Sequence, residues 1–462
     1  MNWIPTELAG VLANTPELQR SYLVGGCVRD VLLGSTPKDF DVEAFGVTYE
    51  QLVEALGRWG RTDLVGRSFG VIKLTTESGH TYDFSIPRRD SKSGAGHRGF
   101  VIEFDPRLSL EDAARRRDFT INSLMADPRT GVILDFFGGQ DDLRKRVLQH
   151  TSPAFVEDPL RVLRGMQFAA RFDLTPAKET VELCRQIKFT FPELAIERVR
   201  EEWFKWAARS VRPSVGLHFL VATEWVDHFP EIKALIGTPQ DAEWHPEGDV
   251  FVHTAHCCDA LARLDEWKTA ELESRIVWML AVLTHDMGKP ACTREEFKHG
   301  RRCVVSPGHD EAGGPVAEAF LNRINAPVAI RQRVIPLVAN HMAHLQLVTD
   351  RAVRRLARRL EPETIQGLCL VITADSMGRP PKPAAVPESV TQLLNKSGEL
   401  RIRENAPKPI LQGRHLLELG MAPGPQFSRI LAAAFEAQLD GEFTDLEGAR
   451  TWLTTFKKSP GL

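Results

Sequence analysis

Asp39, Asp41 and Glu43 alternate with Phe40 and Val42. In an extended strand that alternation turns all three acids to one face, where like charges repel unless a cation sits among them. Oxygen ligands of this kind suit Mg²⁺, which commonly bridges protein carboxylates and substrate phosphates. Upstream, Tyr22 to Val24 reads as a strand end running into Gly25 and Gly26, then into Val28-Arg29-Asp30 at a helix start. Paired glycines let the backbone approach a phosphate, helix-start N–H groups favour anions, and Arg29 offers a fork that matches phosphate oxygens. A phosphate-binding turn followed by a carboxylate strand points to metal-assisted nucleotidyl transfer. A solvated edge strand behind a Gly-Gly turn is the other reading.

Two further groups carry polar chemistry in the first half. In Arg115-Arg116-Arg117-Asp118-Phe119-Thr120-Ile121-Asn122, Asp118 and Asn122 are four apart and share a face if the segment is helical. An amide and a carboxylate so placed can exchange hydrogen bonds with ribose hydroxyls; a basic helix start on the surface is the alternative. In Glu157-Asp158-Pro159-Leu160-Arg161-Val162-Leu163-Arg164, the spacing puts Glu157, Arg161 and Arg164 on one helical stripe and Leu160, Leu163 and Ala170 on another. An acid beside an arginine can read base edges. Asp158 before Pro159 is equally a helix cap followed by a first-turn proline.

The second half holds a separate constellation: His253, then His285-Asp286 closing an apolar helix before Gly288-Lys289, then His309, His341 and Asp375. Imidazoles and carboxylates are ligands for divalent transition metals, and a metal-bound water attacks phosphoesters. A helical platform without metal is the competing reading. His256 and His344 read as bystanders.

Positioning these groups needs several elements. Thr48 to Trp59 has helical spacing, and residues 70–75 and 80–85 read as two strands joined at Ser78-Gly79, the second carrying Asp83. Pro87 to Gly99 is polar, basic and glycine-rich, and reads as a mobile loop. Asp135 to Leu143 reads as a strand, a glycine turn and a helix start capped by Asp141. Glu197 to Trp203 lies on a helix. Arg351 to Arg359 puts arginines on one helical face, either against phosphates or in solvent. Residues 378–387 read as an extended proline-rich linker, with short helices beyond.

A chain of 462 residues exceeds one domain. With 43% hydrophobic and 26% charged residues it has an ordinary globular balance. A net charge of −3 excludes a bulk polycation, so RNA binding would need a local basic face. No apolar run is long enough to span a membrane. Seven scattered cysteines without a CxxC pair, and an N-terminus without a secretory pattern, suit a cytoplasmic protein.

The run GGCVRDVLLG…DFDVE resembles the nucleotidyltransferase motif of the DNA polymerase β superfamily, and more narrowly the head of class II tRNA nucleotidyltransferases, the bacterial CCA-adding enzymes and their poly(A) polymerase relatives. RRDFTINSL is similar to the family's RRDxxxNA element, with Ser123 for the usual alanine. DFFGGQDDL resembles its hinge motif and EDPLR its nucleotide-selecting template. The H…HD…H…H…D pattern resembles HD-superfamily phosphohydrolases.

These resemblances imply an α+β multidomain protein. A polymerase β-type nucleotidyltransferase head with a mixed sheet and helices (1–150) would be followed by all-α parts: a neck (151–238), an HD domain (239–379) and a linker with a helical tail (380–462). The implied reaction is CCA addition to the tRNA 3′ end from CTP and ATP. Asp39, Asp41 and Asp83 would be the catalytic acids, the first two holding Mg²⁺. Gly25, Gly26, Arg29, Arg117, Asp118, Asn122, Asp158, Arg161 and Arg164 would bind nucleotide. His253, His285, Asp286 and Asp375 would hold the HD metal, with His309 and His341 at a second metal or phosphate. The resemblance also places a flexible loop, linked to the switch from CTP to ATP, after the carboxylate strands. A CC- or A-adding specialist, or a poly(A) polymerase with an inert HD platform, is the alternative. The HD half and the absence of a basic tail speak against a poly(A) polymerase.

Overall fold

The computed structural model describes residues 3–63, 70–92, 100–298, 300–346 and 348–456. The chain forms two compact units, Met1–His228 and Phe229–Leu462.

The first unit is built on a twisted mixed sheet. Its strands are β1 (Ser21–Val24), β2 (Asp41–Ala44), β3 (Gly60–Asp63), β4 (Val71–Thr76), β5 (Thr81–Ser85), β6 (Arg88–Lys92), β7 (Phe100–Phe104), β8 (Met125–Ala126) and β9 (Ile133–Leu134). Seven of them form one sheet in the order β3-β4-β5-β2-β1-β8-β9. Every neighbouring pair is antiparallel except β2 and β5, which run parallel with Asp41 opposite Asp83. On β4 the buried residues Ile72, Leu74 and Thr76 alternate with half-exposed ones, as a strand covered on one face requires. On β2, Val42, Glu43 and Ala44 are all buried, so this central strand is covered on both faces.

The acidic strand is shorter than its sequence pattern: Asp39 precedes it and only Asp41 opens it. The helix expected over 48–59 runs Tyr49–Gly57. Thr48 and Gln51 close a reciprocal cap at its start. The expected loop over 87–99 is different. Residues Arg88–Lys92 form β6, paired antiparallel with β7, because the apolar run after Gly99 offers a neighbouring strand to an otherwise polar segment. Residues 93–99 of that loop lie outside the described residues.

The helix Gly139–Lys145 is not capped by Asp141, which lies in its first turn and pairs with Arg144. Asp135 does that work from four residues upstream, accepting from the N–H groups of Gly139 and Gln140 at 2.9 Å each. Beyond it, the helices Leu160–Phe172, Ile196–Arg209 and Pro213–Ala222 pack on one another around the buried Trp203 and Trp206. Phe119 joins that core edge-on to Phe155 and Phe168, with ring centroids 5.4 and 5.8 Å away. The segment preceding Asn122 is thereby bolted to the helix Leu160–Phe172.

The second unit is mainly helical. The helices Val250–Arg263, Leu272–Thr284, His309–Arg323, Val328–Asn340 and Ile365–Met377 pack around a core that includes Cys258, Leu280, Val334 and Leu368. Asp249 caps the first and Thr364 the last. One hairpin, Arg294–Lys298 with Arg301–Val305, departs from the all-helical expectation. Residues 378–387 carry no helix or strand, as the linker reading expects. The arginines of the helix Asp350–Leu360 are engaged within the unit. Arg351 and Arg355 both bind Asp440 at 2.8 Å, Arg358 pairs with Glu361, and Arg359 donates to Asn340. Arg351 and Arg358 nonetheless keep more than half of their side-chain surface exposed. No helix among the described residues is long and apolar enough to cross a membrane.

Candidate functional site

In the first unit, one cavity of about 570 Å³ gathers Gly25, Gly26, Arg29, Asp39, Asp41, Arg117, Asp118, Asn122, Asp158, Arg161 and Arg164. The glycine turn forms its floor. Gly25 has φ +71°, a left-handed backbone that favours glycine, and a Cβ there would also crowd the tip of Arg117, whose Nη1 would stand 3.0 Å away. Its N–H donates to Leu124 O at 3.0 Å, and the helix Gly26–Leu32 starts directly behind it.

From that helix a polar chain crosses the cavity wall. Arg29 Nη1 donates to Asn122 Oδ1 at 2.5 Å. Asn122 Nδ2 donates to Asp118 Oδ1 at 3.0 Å, and Arg164 Nε to Asp118 Oδ2 at 2.7 Å. Burial alone would raise the Asp118 carboxyl. Arg164, first among its neighbours, overcomes this and holds it below the usual range. Asp118 and Asn122 are not on an α-helix. Phe119 is extended and only Thr120–Asn122 make a 3-10 turn. They meet nonetheless, through this network rather than through helical spacing.

The three expected catalytic acids divide. Asp39 and Asp41 line the cavity. Asp83 sits across the parallel pair from Asp41, its N–H donating to Phe40 O at 3.1 Å. The three do not close into a single cluster of 4.8 Å. Asp41 keeps an open tip, yet the protein packed around it raises its carboxyl; Arg117 opposes this, and Asp83 and Asp39 add to it. Burial, followed by Asp39 and against Lys73, raises Asp83 too. Asp83 Oδ1 accepts no hydrogen bond among the described residues, with Lys73 Nζ 3.8 Å away. Mutually repelling carboxylates, one with an unsatisfied buried oxygen, fit a divalent cation. Glu43, the third acid of the alternating run, is not in the cavity. It is fully buried between Arg116 Nη2 at 2.6 Å and Arg117 Nη2 at 3.2 Å, which hold its carboxyl low against the effect of burial.

Asp158 and Arg161 reach the cavity while anchored by backbone. Asp158 Oδ1 accepts from Leu160 N at 3.0 Å, so the capping role is real, and Oδ2 accepts from Arg198 at 3.2 Å. Arg161 donates to Ala154 O at 2.8 Å and to Arg116 O at 2.6 Å. Glu202, buried, accepts from Lys205 at 2.7 Å and stands 4.0 Å from Arg164.

In the second unit the expected metal residues converge, in a different grouping. His253, His285 and Asp375 cluster with Cys257, while Asp286 clusters with His309 and His341. Asp286 lies between the sets: Oδ2 is 3.2 Å from His285 Nε2 and 3.6 Å from His253 Nε2, and Oδ1 is 3.3 Å from His309 Nε2. His285, His309 and His341 each donate Nδ1–H to a backbone carbonyl at 2.7 Å. That fixes their Nε2 lone pairs inward. Nε2 of His309 and of His341 then face each other at 3.1 Å. Burial, then His285, brings His341 down to about 4, so its imidazole is neutral. Lys289 Nζ stands 2.7 Å from Asp286 Oδ2 and balances part of that charge. It does not satisfy the converging imidazole lone pairs, which fit a metal cation.

The family described as "Poly A polymerase head domain" matches residues 21–149. The multifunctional CCA protein of Xanthomonas campestris pv. campestris (strain B100) is 37% identical over 428 residues, covering 89% of this chain and 96% of its own. The chain belongs to the multifunctional CCA protein family. The protein of the same name from Stenotrophomonas maltophilia (strain K279a) is 38% identical over 78% of this chain and 86% of its own. The fold matches the CCA-adding enzyme of Bacillus stearothermophilus in complex with CTP, with a TM-score of 0.65 at 19% identity over 98% of this chain and 97% of that one. It also matches the Thermotoga maritima CCA-adding enzyme complexed with tRNA, with a TM-score of 0.59 at 18% identity over 98% and 94%.

For this member of the CCA protein family, sequence reasoning missed part of the cavity wall. Gln167, Phe168, Arg171, Lys205 and Arg209 also line it. Arg29 stacks on Phe172, its guanidinium carbon 4.4 Å from the ring centre. Burial, then the neighbouring Arg29, lowers Arg171 to about 10, the state of a cation crowded by other cations. The helical repeat of Arg164, Gln167, Phe168 and Arg171 along Leu160–Phe172 was the available signal.

Proposed function

We propose that this protein builds the 3′-terminal CCA of tRNA from CTP and ATP. The observation that carries the reading is the single cavity in which the glycine turn, Asp39 and Asp41 meet the helix bearing Asp158, Arg161 and Arg164. The relatives named for CCA addition match nearly the whole chain. The tRNA 3′-hydroxyl attacks the nucleotide α-phosphate, the bond to the β-phosphate oxygen breaks, pyrophosphate leaves, and the hydroxyl proton passes to solvent. Asp39 and Asp41, with Asp83 beside them, would hold Mg²⁺. When bound, the metal lowers the pKa of the attacking hydroxyl and steadies the triphosphate.

The chain's own groups do the positioning. Gly25 and Gly26 let the triphosphate approach the start of the helix Gly26–Leu32, and Arg29, Arg117 and Arg171 supply positive charge. Asp118 and Asn122 orient the sugar through the network that ends on Arg164. Asp158 and Arg161 select the base. Their backbone anchors hold them still, which suits a protein template that must not adapt to the wrong base. The transfer reaction belongs to head and neck, 1–150 and 151–238. Acting on tRNA, the protein works in the cytoplasm.

The second unit supports a further reading, a metal-dependent phosphohydrolase over 239–379, carried by the inward lone pairs of His285, His309 and His341 around Asp286. Its substrates would be 2′,3′-cyclic phosphates or phosphomonoesters.

The deciding experiment incubates the full chain with tRNA ending before CCA, in Mg²⁺, with CTP, ATP or both, and sequences the products. CC with CTP alone and CCA with both are expected. CC with both marks a CC-adding specialist, and long A tracts with ATP mark a poly(A) polymerase. No extension overturns the assignment.

A further inference from the structure

We propose that Glu247 is a positioning residue of the metal centre in the second unit. It acts through His253, fixing which nitrogen that imidazole offers and making it a stronger donor than His285, His309 or His341. The inference rests on the metal-centre reading above and goes beyond it, since the histidine and aspartate pattern contains no glutamate.

The carboxylate of Glu247 has no exposed surface. Burying such a charge is costly unless partners compensate it. Its partners are two imidazoles: Oε1 accepts from His253 Nδ1 at 2.7 Å and from His245 Nδ1 at 2.9 Å. Oε2 has no hydrogen-bond partner among the described residues. Stability does not account for a buried acid so sparsely paired.

The geometry puts this acid behind a ligand. Glu247 occupies Nδ1 of His253, so Nε2 is the nitrogen left for a metal. That Nε2 faces Asp375 Oδ1 at 3.0 Å and Asp286 Oδ2 at 3.6 Å. Asp286 Oδ2 in turn stands 3.2 Å from His285 Nε2. His253, His285, Asp286 and Asp375 are the set that the sequence pattern gives to one metal, and Glu247 approaches it from the opposite nitrogen of the His253 ring. His285, His309 and His341 donate Nδ1–H to backbone carbonyls; His253 donates it to a carboxylate. A carboxylate draws that proton more strongly than a carbonyl does, so more electron density reaches Nε2 and its bond to a metal strengthens.

Local sequence holds the acid in place. Asp249 caps the helix Val250–Arg263 through Val252 N. Gly248, with φ +134°, turns the chain just before that cap, and Glu247 folds back over the first turn, where His253 lies. His245 grips the same carboxylate oxygen, its ring edge-on to that of His253 with centroids 4.6 Å apart.

The test uses the full chain, with Co²⁺ as the probe. Glu247→Gln keeps an oxygen for both imidazole donors and removes the charge. Its Co²⁺ affinity is expected to fall about 10–100-fold, and the cobalt ligand-field bands to move to longer wavelength as His253 donates less. Glu247→Ala, which also frees Nδ1, loses at least as much. Glu363→Gln, at a buried glutamate of the same unit that pairs with Arg333, is the control and leaves affinity and bands unchanged. A merely structural role of Glu247 would move the melting temperature and leave the affinity of the folded protein where it was. Unchanged Co²⁺ affinity in Glu247→Gln, or a loss that Glu363→Gln shares, overturns the role of Glu247 and leaves the metal centre standing. This comparison stands even where Glu247→Ala fails to fold. An unmodified chain that binds no Co²⁺ overturns the metal-centre reading, and the role of Glu247 with it.

Discussion

Replacing Glu43 by Gln tests whether the arginines of the nucleotide cavity are held by a buried charge. Glu43 has no exposed surface and accepts from Arg116 at 2.6 Å and Arg117 at 3.2 Å. Glutamine keeps the shape and one oxygen but turns a donor toward a guanidinium. One charge-assisted hydrogen bond is lost, on the order of 1.5–3 kcal/mol, together with the attraction of a full charge. Both arginines retain some solvent contact and can rehydrate, which keeps the cost below the roughly 3–5 kcal/mol of breaking a fully buried pair. The expected loss is about 3 kcal/mol, or roughly 6–12 °C in the melting of a unit of this size. Calorimetry reads it, with the transition of the first unit identified by its shift on adding CTP. The pH dependence follows from the depressed carboxyl. The stability gap between the unmodified protein and Glu43→Gln is full above the unfolded glutamate value of about 4.3. It closes as pH falls through the lower folded value. A loss under about 0.5 kcal/mol, or a gap that persists at the lowest pH, would refute the reasoning.

Two other substitutions separate chemistry from support. Asp41→Asn is expected to lower kcat for nucleotide addition by at least about 10³ while the melting temperature holds or rises, because the burial of a charge and then its repulsion from Asp83 and Asp39 are relieved, outweighing the lost attraction of Arg117; steady-state kinetics and calorimetry check both halves. Arg161→Ala is expected to scramble base choice and also to cost about 1–3 kcal/mol, since two backbone carbonyls lose their donor; product sequencing with a urea melt distinguishes this from a purely base-reading residue, which would leave stability unchanged.

Much of the site was legible because its signals are local. Gly25, Gly26 and Arg29 fall within one turn, whereas Asp83, by itself an ordinary strand acid, entered only through the family resemblance. What was illegible depends on partners far along the chain. Arg355 looks available for phosphate until Asp440, 85 residues away, takes it. Arg88–Lys92 looks like loop until β7 pairs with it. Asp135 is a different kind of miss, a local one: it outcompetes Asp141 as a cap from only four residues before the helix start. Cys257 carries no motif, and only the fold brings it beside Asp375, 118 residues on. Glu43 shared the acidic pattern with Asp41 but follows a different fate, because Arg116 and Arg117 enclose it from a segment more than seventy residues away.

The parallel pairing of β2 with β5 has a consequence for how this protein tolerates change. Asp41 and Asp83 face each other by register, while the chain between them makes an excursion through a helix and two further strands at the sheet's edge. Insertions or deletions in that excursion alter contour length without sliding one carboxylate past the other. The catalytic spacing is thus set by the β2–β5 ladder and not by the length of the tract that separates the two acids in sequence, a freedom that a hairpin joining the same strands would not give.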